Sequence, residues 1–250
     1  MYQYQSPRYL PTADELPCSD DTPVDNELQE IIPSLLKSIL QILWAERIDW
    51  FFGIDMAIYT HPEQPPIVPD GFLSLNVERV YDEELRPSYT LWEEKVPPVF
   101  VLEVVSTTPG GEYTTKLDEY ARMGVLYYVV YNPKRRRKAR LEMYKLVNGL
   151  YELQNSNPLW MPEIGLGIGS DRAQYGGLVR EWLYWYNEHN DRYPTPYEQI
   201  ELERKQTELA NQRADLEKQQ TQLANERAER ESQRAERLAA KLRALGIEPD

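Results

Sequence analysis

The run Val99-Phe100-Val101-Leu102-Glu103-Val104-Val105 constrains the fold of this chain more than any other feature. Six of its seven residues are apolar, and most are β-branched or aromatic. A strand with one wet face alternates apolar with polar residues. An unbroken apolar run reads instead as a strand covered on both faces, as at the centre of an α/β sheet. Alternation directs Val101, Glu103 and Val105 to one face and Phe100, Leu102 and Val104 to the other. Glu103 is thus placed between valines, where a carboxylate is costly unless it is paired or bound to a metal.

The flanking segments supply the partners such a strand needs. Leu28, Ile31, Ile32, Leu35, Ile39, Ile42 and Leu43 recur at helical spacing and predict an amphipathic helix over 25–46, with Pro33 as a kink or as its true start. Residues 50–59 read as a strand, His61-Pro62-Glu63-Gln64-Pro65-Pro66 as a turn, and 67–77 as a second strand carrying Asp70. An insertion over 78–96 precedes the central strand. Residues 113–123 read as a helix ended by Gly124, followed by a strand over 125–131 that Asn132-Pro133 stops. Asn148-Gly149 between 141–147 and 151–154 signals a hairpin. This order is α/β with an added hairpin.

Composition changes along the chain. Residues 1–24 are rich in Pro, Asp and Ser and read as an N-terminal arm, 25–195 as the folded domain, and 196–250 as a charged helical tail. In the tail, Thr207 to Ala214 returns 14 residues later as Thr221 to Ala228, and Leu202, Leu209, Leu216 and Leu223 mark every seventh position. The companion positions are mostly Gln, Lys or Arg, so the seam is narrow and pairing through it is weak. The single Cys18 excludes an internal disulfide framework. No basic start leads into an apolar run, and no apolar stretch approaches the length of a span, so the expectation is a soluble, cytoplasmic protein off the membrane.

The net charge of −13 opposes generic nucleic-acid binding, and the tail's 12 acids and 10 bases leave about −11 on the body. The exception is Lys134-Arg135-Arg136-Arg137-Lys138, with Arg140 close behind. That run is either a local phosphate contact or a solvated turn.

Asp70, Glu103 and Lys116 are the richest set of reactive groups. Two carboxylates on neighbouring strands and one lysine can hold a divalent metal against a phosphodiester. Mg²⁺ (or Mn²⁺) suits one or two carboxylates, with water and phosphate oxygens completing its shell. The lysine would orient the water or stabilise the extra negative charge of the transition state. The competing reading is a Glu103–Lys116 ion pair that only fastens strand to helix.

Val-Pro-Asp at 68–70, Leu-Glu-Val-Val-Ser at 102–106, Lys116, Tyr120-Ala121-Arg122-Met123-Gly124-Val125, Tyr127-Tyr128 and Asn132-Pro133 together resemble the Uma-type restriction endonuclease family, of PD-(D/E)XK fold. The resemblance covers roughly 25–155, and the heptad tail is similar to extensions common in that family. It implies a restriction-endonuclease-like mixed sheet flanked by helices, with a long C-terminal helix added. It also implies that Asp70 and Glu103 are the metal-binding carboxylates and the main-chain carbonyl of Val104 a further ligand. The usual nuclease lysine lies two residues after the glutamate, where this chain has Val105, so the role passes to Lys116 on the following helix. A first-helix glutamate often joins the site in this fold, and Glu27 and Glu30 are the candidates.

Other signals are weaker. His61 and His189 stand apart, with one cysteine in the chain, so a zinc site is not expected. Gly165-Leu166-Gly167-Ile168-Gly169 reads as a flexible turn, since it lacks the setting and lysine of a phosphate loop. Ser106 shows no serine-histidine-acid arrangement; by resemblance it supports the metal site. Trp182, Tyr184, Trp185 and Tyr186, within 180–193, read as a C-terminal helix packed on the sheet or on a second subunit, with base stacking as the less common use. Trp44, Trp50, Trp92 and Trp160 read as core or interface residues.

The leading expectation is a metal-dependent endonuclease acting on DNA. The alternative is a nuclease-fold scaffold that recruits a partner through its C-terminal helix; a third reading is cleavage of RNA or a DNA junction. A homodimer would form through the aromatic block or the tail.

Overall fold

The structure, a computed structural model, describes residues 10–17, 26–78, 85–106 and 110–244. It divides into two compact units, residues 1–195 and 196–250. The first unit contains, in order, α1 (Glu27–Leu43), β1 (Trp50–Ile54), β2 (Ile58–Tyr59), β3 (Gly71–Leu75), β4 (Tyr89–Thr90) and the short helix α2 (Leu91–Glu94). It continues with β5 (Phe100–Val104), α3 (Thr115–Met123), β6 (Tyr127–Tyr131), β7 (Leu141–Val147), β8 (Leu150–Gln154), β9 (Leu159–Met161), β10 (Leu166–Tyr175) and β11 (Leu178–Tyr186). The second unit is one 49-residue helix, α4 (Pro196–Ala244).

The main sheet has the order β1-β3-β5-β6-β7-β8, with β5 and β6 parallel and every other pair antiparallel. Strand β5 lies inside it and all five of its residues are buried. Its alternation divides the core as the sequence requires. Phe100, Leu102 and Val104 face Ile32, Leu35, Leu36, Ile39 and Leu40 of α1 together with Trp182 and Trp185. On the opposite face, Val101 and Val105 join Tyr120, Tyr128 and Val130. Burying each large apolar side chain contributes about 1.5–3 kcal/mol. The fold is mixed α/β.

Helix α1 opens at Asn26, whose side chain accepts from Leu28 N at 2.9 Å, while Gln29 Oε1 accepts from Asn26 N at 3.2 Å. Two N–H groups left open by the helix start are thereby satisfied. Pro33 neither starts nor stops the helix. It is buried within it, and a Cβ on Gly71 would come within 3.0 Å of the Pro33 ring. Gly71 lets α1 lie close over the start of β3, beside Asp70.

Several sequence expectations change. The strand expected over 50–59 is two strands separated by Asp55, at φ 47°. Strand β3 begins at Gly71, so Asp70 lies just ahead of it rather than within it. The expected insertion carries β4 and α2, and 79–84 lie outside the described residues. The Gly165–Gly169 segment is no flexible turn: only Gly165 turns, at φ 75°, and the rest opens β10. Gly169 is needed there because a Cβ would meet Asn157 Oδ1 at 2.6 Å and the Pro158 backbone at 2.9 Å.

The aromatic block is not a helix but β11, in a three-stranded antiparallel sheet ordered β11-β10-β9. Trp182, Tyr184 and Trp185 are buried by their own chain, and the Trp185 indole N–H donates to Leu36 O at 2.9 Å. The block therefore offers neither a base-stacking platform nor a dimer face. Of the expected N-terminal arm, residues 10–17 are described and dock on the body: Trp92 Nε1 donates to Pro11 O and Tyr59 OH to Pro17 O, both at 2.8 Å. The remainder, 1–9 and 18–24, lies outside the described residues. In α4, Leu202, Leu209, Leu216 and Leu223 are exposed along one helix face. Among the described residues, no helix is long and apolar enough to cross a membrane.

Candidate active site

The last ladder pair between β3 and β5 is Gly71 with Leu102. Asp70 stands one residue beyond that pair, at the end of β5 that carries Glu103, and close enough for the two carboxyl charges to act on each other. Asp70 extends the pairing with its side chain: Oδ2 accepts from Val104 N at 2.6 Å. Its other oxygen, Oδ1, accepts from Gln29 Nε2 at 3.2 Å. The capped start of α1 thus grips Asp70 from one side and β5 from the other.

Glu103 is 2 % exposed. Its two oxygens are held from α3, where Lys116 and Tyr120 stand one turn apart on one face. Lys116 Nζ lies 2.8 Å from Oε2, and Tyr120 OH donates to Oε1 at 2.7 Å. Tyr120 is fully buried, whereas the Lys116 side chain keeps 26 % of its surface exposed. The ion pair of the competing reading is therefore present, and it sits beside a second carboxylate.

Burial first, and then the Glu103 charge, push Asp70 up to about 8, against the opposing Val104 N–H and Lys116. Burial also raises Glu103, with Lys116 and Tyr120 working the other way. Burial acts on Lys116 to lower it, but the charge and hydrogen bond of Glu103, joined by Asp70 and Glu112, carry it above its usual value. Two desolvated carboxyl groups have one ammonium beside them, Lys116 against Glu103, so the site is short of positive charge whenever both are ionised.

The donor set suits a hard divalent cation, for which one or two carboxylates suffice beside water and phosphate. Among the described residues, no group of three or more His, Cys, Asp and Glu side chains is placed to hold a metal. Glu27 and Glu30 are exposed, and the α1 residue that meets Asp70 is Gln29. The interaction of Val104 with Asp70 runs through its N–H. Sequence reading has Tyr120 only within the family motif and gives it no role at the site, although its spacing of four from Lys116 is visible. It passed over Glu112, 6 % exposed, which accepts from Gly110 N at 2.7 Å and whose charge reaches Glu103 and Lys116.

The basic run occupies the β6–β7 connection. Because β5 and β6 are parallel, with Val104 beside Tyr131, this loop leaves the sheet at the end that carries Glu103. Lys134, Arg136, Arg137 and Lys138 are exposed. Arg135 is not part of that free edge: it pairs with Glu142 at 2.6 Å and lies over the Tyr113 ring at 4.6 Å.

A family model described as "Putative restriction endonuclease", Uma2, matches residues 4–171. No curated protein matches the chain.

Proposed function

Because the chain belongs to the Uma2 restriction endonuclease family, we propose that it is a metal-dependent endonuclease hydrolysing DNA phosphodiester bonds. The observation that carries this reading is Asp70 and Glu103 together at one end of β5, with Lys116 against Glu103. Asp70 and Glu103 would hold Mg²⁺ (or Mn²⁺), with the Val104 carbonyl as the further ligand. Such an ion, when bound, polarises the scissile phosphate and lowers the pKa of an attacking water.

The chain's own residues prepare that chemistry. Gln29 and the Val104 N–H fix the orientation of Asp70, and Tyr120 fixes Glu103. Lys116, whose side chain is 26 % exposed, offers an ammonium to the phosphate as negative charge builds. Lys134, Arg136, Arg137 and Lys138 provide phosphate contacts along the same edge, which lets an acidic body engage DNA locally and in a salt-sensitive way.

The test is calorimetric titration of Mn²⁺ into wild type and Glu103→Gln, paired with cleavage of plasmid DNA. Binding and cleavage in wild type, both lost in the variant, support the reading. Cleavage unchanged in Glu103→Gln would sink it. A scaffold is favoured by one observation, the exposed leucine stripe on α4, and it predicts that neither protein binds the metal.

A further inference from the structure

Lys116 and Tyr120 grip the same carboxylate in unequal ways. Tyr120 OH, buried completely, donates to Glu103 Oε1; Lys116 Nζ reaches Oε2 from the solvent side, 2.8 Å away. Asp70 has both oxygens engaged by neutral N–H donors, from Val104 and Gln29. The one cation in direct contact with either carboxylate, among the described residues, is therefore the Lys116 ammonium.

We propose that the Lys116 ammonium stands in for the divalent cation, so that metal binding and the Lys116–Glu103 contact are mutually exclusive. This rests on the reading that Asp70 and Glu103 hold the metal. It goes further by giving Lys116 two positions. In the first position Lys116 neutralises the buried Glu103 carboxylate. It leaves Oε2 when a metal arrives, while Tyr120 keeps Oε1 and hence the carboxylate orientation. The freed ammonium is then available to a phosphate, with the charge of Glu112, four residues earlier, still acting on it. Lysine availability is in this way coupled to metal loading, and a protein without metal carries no free catalytic lysine.

The proposal makes a prediction opposite in sign to that for a lysine acting on the phosphate alone. Lys116→Gln keeps a donor near Oε2 and removes the charge; Lys116→Arg keeps the charge. Mn²⁺ alone is titrated at fixed pH and salt into wild type, both Lys116 variants and Glu103→Gln, with thermal shifts recorded in parallel. The expected result is Mn²⁺ binding roughly tenfold tighter in Lys116→Gln than in wild type. That is what Coulomb's law gives, with full bulk-water screening, for removing a unit charge about 6 Å from a divalent ion, so it is the least the exchange should yield. Lys116→Arg should bind as wild type does. The thermal shift on adding Mn²⁺ should be larger in Lys116→Gln, because a cation then replaces the missing one. Unchanged or weaker binding in Lys116→Gln overturns the exchange, while loss of binding in Glu103→Gln still leaves the metal-site reading standing. No Mn²⁺ binding in any protein, Lys116→Gln included, overturns both. If Lys116→Gln is unfolded without metal, recovery of a cooperative transition on adding Mn²⁺ supports the exchange, and failure to recover contradicts it.

Discussion

Asp70→Asn should make the metal-free protein more stable at alkaline pH while leaving it nearly unchanged at pH 5. The reason is the environment of the Asp70 carboxyl, which burial and the Glu103 charge push from 3.8 up to about 8. In the unfolded chain this group loses its proton near 3.8; in the folded protein it holds the proton to about 8. Between those values the folded state binds more protons, so stability falls as pH rises. The contribution is fully present below the unfolded value and is gone above the folded one. At about 1.4 kcal/mol per unit, the swing from pH 5 to pH 8 is about 4 kcal/mol. Asparagine is neutral throughout and carries no such slope. It accepts from only one of Val104 N and Gln29 Nε2, at a cost of about 1 kcal/mol. The variant should therefore be about 1 kcal/mol less stable than wild type below pH 3.5, within about 1 kcal/mol of it at pH 5, and about 4 kcal/mol more stable at pH 8 to 8.5. Urea unfolding in the presence of a chelator, at half-unit steps of pH, measures the difference. Parallel curves for the two proteins would refute the argument, because they would mean that Asp70 ionises in the fold as easily as outside it. Saturating Mn²⁺ should restore wild type at pH 8 and leave Asp70→Asn unmoved.

Replacing Lys134, Arg136, Arg137 and Lys138 with Gln should weaken duplex binding and lower the slope of log affinity against log salt by up to about 3–4. Fluorescence anisotropy over a salt series measures it, and an unchanged slope would remove the loop from the interface. Arg135→Gln should leave that slope alone and instead loosen the loop, because Arg135 is spent on Glu142 and Tyr113. Gly169→Ala should cost about 1–3 kcal/mol through the clash with Asn157 and Pro158, read from the shift of the urea midpoint; no shift would mean the strand relaxes freely. A chain ended after Thr195 should retain a cooperative thermal transition; aggregation of this truncation would show that the body depends on α4.

What sequence could reveal here follows from where the physics is local. Glu103 was legible because a carboxylate between valines in a covered strand contradicts its surroundings unless it has a task, and that contradiction lies within seven residues. Asn148-Gly149 was legible because both residues must take positive φ, observed at 50° and 81°, which this pair adopts cheaply. Strand β11 failed the same approach: Trp182 to Tyr186 are all buried, and a segment covered on both faces loses the period that separates strand from helix. Gly167 and Gly169 failed because one residue type serves both turns and close approaches, and only Tyr186 and Leu159 beside Gly167, and Asn157 and Pro158 beside Gly169, tell which applies. Gln29 is the most instructive omission. In sequence it is an ordinary amide three residues after Asn26, and a glutamate seemed the natural partner for the site. Its task arises because Pro33 and Gly71 let α1 settle over β3, bringing the helix start to Asp70. An acid at that position would have put a third negative charge beside two carboxylates already short of cations, whereas an amide donates its N–H without adding charge. The reactive groups were thus visible one by one, while the residues that hold them were selected by neighbours far away in the chain.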